Sequence, residues 1–160
     1  MLTNYSKTEV VADTSSLISL QTGGVLELSL DLFDVSIPEI VVTELKDVAG
    51  YDDAHGKSAR YVLRLIKEDK ISVREVISIS ETESRVESRV DAGEMSCLNL
   101  CRQEQIPILV TDDWRALPKL IEISLIHKRR SLCICDPRST EQTCAGLRWH
   151  SQPEPDRPYR

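Results

Sequence analysis

The stretch E-V-V-A-D-T-S-S, residues 9–16, decides the fold. Residues 9–12 read as the end of a short buried strand, Asp13 follows directly, and Thr14, Ser15 and Ser16 lead into a short helix closed by Gly23 and Gly24. Taken alone, Asp13 is an N-cap, a position that favours Asp. In an α/β sheet, however, the C-terminal end of a strand is also where ligands are held. Both readings stand until the rest of the chain is placed around it.

Outward from this point, strands and helices alternate. Residues 25–33 read as a second helical stretch with Leu26, Leu30 and Phe33 on one side, and residues 35–37 as a brief strand. Pro38 suits the first turn of a helix running to about Ala49, with Gly50 as its stop. Residues 51–56 read as a polar loop, and 57–67 as a helix whose apolar stripe is Ala59, Val62, Leu63 and Ile66. A β-branched strand over 71–79, a charged connection over 80–90 and a clear helix over 91–105 follow. Residues 106–111 are an apolar run that ends in Asp112 and Asp113. Such alternation predicts an α/β fold with a small parallel sheet covered on both faces. Beyond it, Pro118 is expected to interrupt a helix over 114–126, and residues 131–135 could form a last strand. The expected domain is 1–135, and the polar stretch 136–160 reads as a disordered tail.

Composition narrows the function classes. At 160 residues the chain is most simply one domain, and aromatics at 4% leave the core to Leu, Ile and Val. A net charge of −6 argues against a general electrostatic grip on nucleic acid. It does not exclude a nuclease, because site carboxylates count as negative until a cation neutralises them. The first twenty residues carry Lys7, Glu9 and Asp13 and lack a signal peptide's apolar centre. The longest uncharged run, residues 14–26, is too short and polar to span a membrane, so a cytoplasmic protein is expected. Five cysteines, none spaced C-x-x-C, read as buried free thiols rather than a zinc site or a disulfide framework.

The carboxylates carry the chemistry. Glu44, in P-E-I-V-V-T-E-L, falls on the same helical face as Val41 and Val48, where an unpartnered charge costs several kcal/mol; a buried Lys or Arg partner is the alternative. Asp91 and Glu94, in D-A-G-E, have capping-box spacing, yet Glu94 aligns with Leu98 and Cys101 and so points inward. Asp91 reads as the cap and Glu94 as the functional member. Asp112 and Asp113 close a strand and open a helix, so one of them can be its N-cap but not both. Neighbouring carboxylates repel, by roughly 3 kcal/mol at 5 Å and an effective dielectric near 20. Several converging on one point need a counter-charge, and oxygen-only ligands select Mg²⁺ or Mn²⁺. Other candidates are weaker. His55, His127 and His150 stand apart, no serine sits in a G-x-S-x-G elbow, and Gly23-Gly24 is not a phosphate loop. The cluster Lys128-Arg129-Arg130 reads equally as a phosphate contact or a solvated helix end.

In order and context, V-V-A-D-T-S-S-L-I-S-L, V-S-I-P-E-I-V-V-T-E-L, D-A-G-E-M-S-C-L-N-L and I-L-V-T-D-D-W-R-A resemble the motifs of PIN-domain proteins. The likeness is to the branch with D-x-G-E at its third motif, related to VapC-type toxins, and runs from about residue 10 to 116. The resemblance implies a three-layer α/β/α fold with the acids meeting at one end of a small parallel sheet. It implies catalytic roles for Asp13, Glu44, Glu94 and Asp113, metal binding by Asp13, Glu94 and one or both of Asp112 and Asp113, and support from Thr14, Ser15 and Thr111. The implied activity is endonucleolytic cleavage of RNA by water activated by Mg²⁺ or Mn²⁺, commonly in a homodimer held in check by a small antitoxin. After the D-D motif the chain departs from the pattern, so a divergent or incomplete C-terminal part is expected, as a frameshift would leave it.

Three rivals remain. A haloacid-dehalogenase-like phosphatase needs a second Asp two residues after the first, where this chain has Ser15. A receiver-like signalling module needs its acidic pair at the first strand. A catalytically degenerate PIN fold that only binds a partner keeps the architecture without the chemistry.

Overall fold

Burial on both sides of the first strand organises the molecule. Strand β1 (Thr8–Ala12) ends on three consecutive buried residues, Val10, Val11 and Ala12. Successive side chains point to opposite faces of a sheet, so both faces here are covered. The computed structural model describes residues 7–77, 91–113, 115–126 and 133–135. After β1 come helices α1 (Thr14–Thr22) and α2 (Leu26–Leu32), strand β2 (Phe33–Pro38), and helices α3 (Glu39–Ala49) and α4 (Ala54–Lys67). Strand β3 (Ser72–Arg74), helix α5 (Ala92–Glu104), strand β4 (Ile108–Val110), helix α6 (Leu117–Ile126) and strand β5 (Cys133–Cys135) complete the described elements.

The strands form one parallel sheet in the order β3-β2-β1-β4-β5, flanked by helices, as the alternation of elements predicts. From β1 the chain works outward through β2 and β3, then crosses back to β4 and β5. That reversal opens a crevice beyond the C-terminal ends of β1 and β4, where α/β proteins bind ligands. The order differs from the 2-1-3-4-5 arrangement of receiver modules. Packing is aliphatic, as the scarcity of aromatics requires: Leu17, Ile37, Val41, Leu45, Leu65, Leu98, Leu109 and Leu120 have almost no exposed surface.

Several boundaries differ from those read along the chain. Phe33 begins β2 instead of closing α2, because the helix ends at Leu32 and the backbone turns extended. Helix α4 starts three residues early: Asp53 caps it by accepting a hydrogen bond from Gly56 N at 2.7 Å. Its buried face holds Leu65, with Leu63 and Ile66 only partly covered. Strand β3 spans three residues, and the remainder of the 71–79 strand from residue 78 lies outside the described residues. Pro118 does not interrupt α6; it occupies the second position of that helix, where its missing N–H costs nothing. The connection over 80–90, His127, the Lys128-Arg129-Arg130 cluster and the 136–160 stretch with His150 also lie outside the described residues. Among the described residues, no helix is long and apolar enough to cross a membrane.

Candidate active site

Asp13 stands at the crevice because β1 stops there. Its backbone N donates to the Val110 carbonyl at 3.2 Å, which ties the end of β1 to the end of β4. Its carboxylate caps α1: Oδ1 accepts from Ser16 N at 2.7 Å and from Ser15 Oγ at 3.0 Å. The cap and the functional reading of Asp13 are therefore compatible. Ser16 Oγ also donates to the Asp13 carbonyl (3.0 Å) and to the Val110 carbonyl (3.1 Å), locking α1 onto β4. Asp13 is only 5% exposed, and burial pushes its carboxyl above the ordinary carboxylate range. Hydrogen bonds from Thr111, Ser16 and Ser15 offset part of that rise. Thr111 has a second duty, since its hydroxyl accepts from Asp113 N at 3.2 Å. Ser15 and Thr111 thus both bond around Asp13.

Glu44, half-buried on α3, lies between two helix starts. Thr14 Oγ1, at the first position of α1, donates to its Oε2, so Thr14 orients Glu44 rather than Asp13. On the other side Glu44 lies against Gly93 in the first turn of α5. A Cβ at position 93 would come within 2.3 Å of Glu44 Oε1 and 2.9 Å of its Cδ. The bare glycine is thus a cradle for this carboxylate, and helix N-termini favour negative charge. Burial first, then the charges of Asp91, Asp13 and Asp47, raise the Glu44 pKa, against the Thr14 hydrogen bond. The bonded partner is the Thr14 hydroxyl.

Asp91 is the N-cap of α5, accepting from Gly93 N at 3.0 Å. Glu94 completes the capping box, its Oε2 accepting from Asp91 N at 3.4 Å, and faces the crevice as well. Burial and then the Asp113 carboxylate, with smaller pushes from Asp13 and Asp91, raise Glu94 from an ordinary 4.5 to about 7. Asp13 therefore acts on both Glu44 and Glu94, and Asp113 acts on Glu94, across four separate segments of chain. Asp113 doubles as the cap of the turn before α6, accepting from Arg115 N at 2.8 Å.

Asp112 turns the other way. It is 7% exposed, accepts from Ser19 Oγ on α1, and lines a groove on the far side of that helix. Among the described residues, no three His, Cys, Asp or Glu side chains stand together as a ready-made ion site. The carboxylates are held by local donors: Glu44 by Thr14, Asp112 by Ser19, Asp113 by Arg115 N and Glu94 by Asp91 N. The donor set is all oxygen, which suits a hard divalent cation, and a bound cation would displace the proton that Glu94 holds near neutrality. Cys97 and Cys101 are buried thiols, the first pushed well above its ordinary pKa and the second up to about 12, mainly by burial. Both are buried free thiols, as their spacing predicts. His55 is exposed in the first turn of α4. Three contributors escaped the sequence reading: Gly93, Ser16 and Ser19. A glycine in a helix's first turn, where it weakens the helix relative to alanine, was the available signal for the first.

The raised Glu94 pKa makes a stability prediction. The folded protein holds a proton that the unfolded chain releases above 4.5, so this contribution is whole below pH 4.5 and gone once pH passes about 7. Asp13 and Glu44 shift in the same direction. In EDTA, the urea midpoint of the wild type should fall relative to that of Glu94→Gln as pH rises through this window. Parallel pH curves for the two proteins would show that Glu94 does not titrate as described.

Comparisons with known proteins follow the same lines. The family model described as "DUF3368: PIN domain" matches residues 9–120. A domain of a functionally unknown protein from Methanocaldococcus jannaschii is similar in structure, with a TM-score of 0.51 and 18% identity over 84% of this chain and 94% of that one. The PIN domain endonuclease Utp24 is similar with a TM-score of 0.51 and 15% identity, over 80% of this chain and 84% of that one. At such identities the likeness is one of fold. A search of curated proteins returned no match.

Proposed function

The chain belongs to the DUF3368 family of PIN domains, a nuclease-type fold, and from that premise we propose that it is a metal-dependent endoribonuclease, the toxin of a toxin–antitoxin pair. One observation carries the reading. Asp13, Glu94 and Asp113, from three segments of chain, come near enough at the sheet's C-terminal edge for the charges of Asp113 and Asp13 to add to burial in raising Glu94. Asp13, Glu94 and Asp113 would hold the cation, and Asp112, bonded to Ser19, would brace α1 against the end of β4. When bound, Mg²⁺ or Mn²⁺ supplies Lewis acidity toward a phosphodiester and its attacking water. Ser15, Ser16 and Thr111 hold the Asp13 carboxylate in one orientation, so no reorganisation is needed as substrate arrives. Glu44, fixed by Thr14 and seated on Gly93, orients the attacking water. In-line attack on phosphorus displaces the 3′ oxygen and leaves 5′-phosphate and 3′-hydroxyl ends. The D-A-G-E motif supports the toxin assignment, and with it a homodimer and a small antitoxin as partners.

The test is cleavage of single-stranded RNA by the purified protein in Mg²⁺ or Mn²⁺, with the product ends mapped. Cleavage that stops in excess EDTA, together with growth arrest on expression relieved by a small neighbouring gene product, is expected. Undiminished cleavage in EDTA, or a folded protein inert toward RNA, overturns the nuclease reading. Cleavage without growth arrest overturns the toxin role alone.

A further inference from the structure

The groove on the far side of α1 is not used by the chemistry above. It has a volume of about 410 Å³, within the usual range for small-ligand pockets, and it is open to solvent. Ser15 is shared between the two sites: its hydroxyl bonds the Asp13 carboxylate, and the same residue lines the groove. The groove therefore adjoins the acidic crevice across Ser15. Ile18 and Val48 give it apolar walls, Tyr51 stands at its rim, and Asp53 and Asp112 supply its carboxylates.

Two features of Tyr51 are unusual for a loop residue. The residue is 65% exposed, so a large aromatic face is offered to solvent at the mouth of a cavity. Its backbone, by contrast, is tied on several sides. Tyr51 N donates to the Val48 carbonyl at 3.0 Å, and Arg60 Nη1 donates to the Tyr51 carbonyl at 3.0 Å and the Ala49 carbonyl at 2.6 Å. The first turn of α4 closes on the same carbonyl: a Cβ on Gly56 would sit 1.9 Å from it. An exposed ring on a pinned backbone is pre-organised for stacking, and loses less entropy on binding than a ring on a loose loop.

The carboxylates decide what stacks there. Asp53 and Asp112 accept hydrogen bonds within the protein from Gly56 N and Ser19 Oγ, and a carboxylate's oxygens have further lone pairs that can accept from a ligand. With apolar walls, an exposed aromatic ring, two carboxylates and His55 in its lining, the groove suits a flat ring bearing N–H donors. We propose that it is a nucleobase subsite, in which a base flanking the scissile phosphate stacks on Tyr51 and directs an exocyclic amino group toward Asp53 and Asp112. Adenine, cytosine and guanine carry such a group and uracil does not. The proposal rests on the ribonuclease reading and adds to it a preference at one position of the RNA.

Two measurements separate its fate from that reading. In cleavage assays, Tyr51→Ala should raise KM for RNA by roughly 5- to 100-fold with little change in kcat, while Tyr51→Phe stays near the wild type. The loss should vanish on RNA carrying an abasic nucleotide beside the cut. Equal KM for Tyr51→Ala and the wild type, in an enzyme that cleaves, overturns the subsite and leaves the nuclease standing. The second measurement needs no catalysis: cytidine and guanosine are titrated into metal-free protein and followed by NMR at Tyr51. Shifts that are weaker with uridine and lost in Tyr51→Ala support the subsite even if no RNA is cut. No shift with any nucleoside at millimolar concentration overturns it.

Discussion

Asp13→Asn should remove metal-dependent RNA cleavage by about 10³-fold or more while the protein stays folded. The two halves of that expectation have separate causes. Asparagine keeps an oxygen for Ser16 N and Ser15 Oγ, so the cap of α1 survives. The Thr111 hydroxyl can switch from donating to accepting, since an amide nitrogen donates where a carboxylate oxygen accepts. What disappears is the charge, and in the metal-free protein that charge is penalised by burial. The variant should therefore unfold at the same temperature as the wild type or higher in EDTA. Added Mg²⁺ should raise the melting temperature of the wild type alone, because only a state that binds the ion gains from it. A variant that cleaves within tenfold of the wild type would remove Asp13 from the chemistry.

Gly93→Ala should lower cleavage by about 10²-fold with almost no cost to stability. The three atoms that a new Cβ would meet, at 2.3, 2.9 and 2.9 Å, all belong to the end of the Glu44 side chain. A flexible side-chain terminus gives way before backbone does, so the methyl displaces the Glu44 carboxylate and leaves α5 in place. Alanine is also the better helix former, by about 1 kcal/mol, which offsets the crowding. The signature is loss of activity without loss of stability, read from single-turnover rates beside urea unfolding. A double-mutant cycle identifies the route. If the methyl acts through Glu44, then Gly93→Ala on a Glu44→Ala background should cost nothing further. Wild-type cleavage by Gly93→Ala, or a full extra loss in the double variant, would sink the cradle as a functional element.

Local patterns account for what was legible along the chain. The apolar run of β1 and the helix of α5 behind its D-A-G-E cap came out as expected, because strand and helix periods and caps are properties of near neighbours. Asp13 and Asp113 could be placed at strand ends for the same reason. The errors cluster where a distant contact overrides a local signal. Helix α4 begins at Ala54 although residues 51–56 read as a polar loop, and Gly56 in its first turn admits the Tyr51 carbonyl. Pro118 looked like a breaker and is a helix starter. Asp112 and Asp113 are adjacent and alike, yet one faces Ser19 and the other acts on Glu94.

From residue order alone came the alternating elements, the aliphatic core and the family motifs, with their acids at strand ends or on inward-facing helix positions. The folded molecule decided the strand order β3-β2-β1-β4-β5, which sets Asp13 beside the end of β4. It also decided that Glu44 rests on Gly93 under the Thr14 hydroxyl. Periodicity and capping depend on residues within a turn or two of one another. The meeting of a carboxylate with a glycine on another helix depends on how whole elements pack, and no local pattern records it.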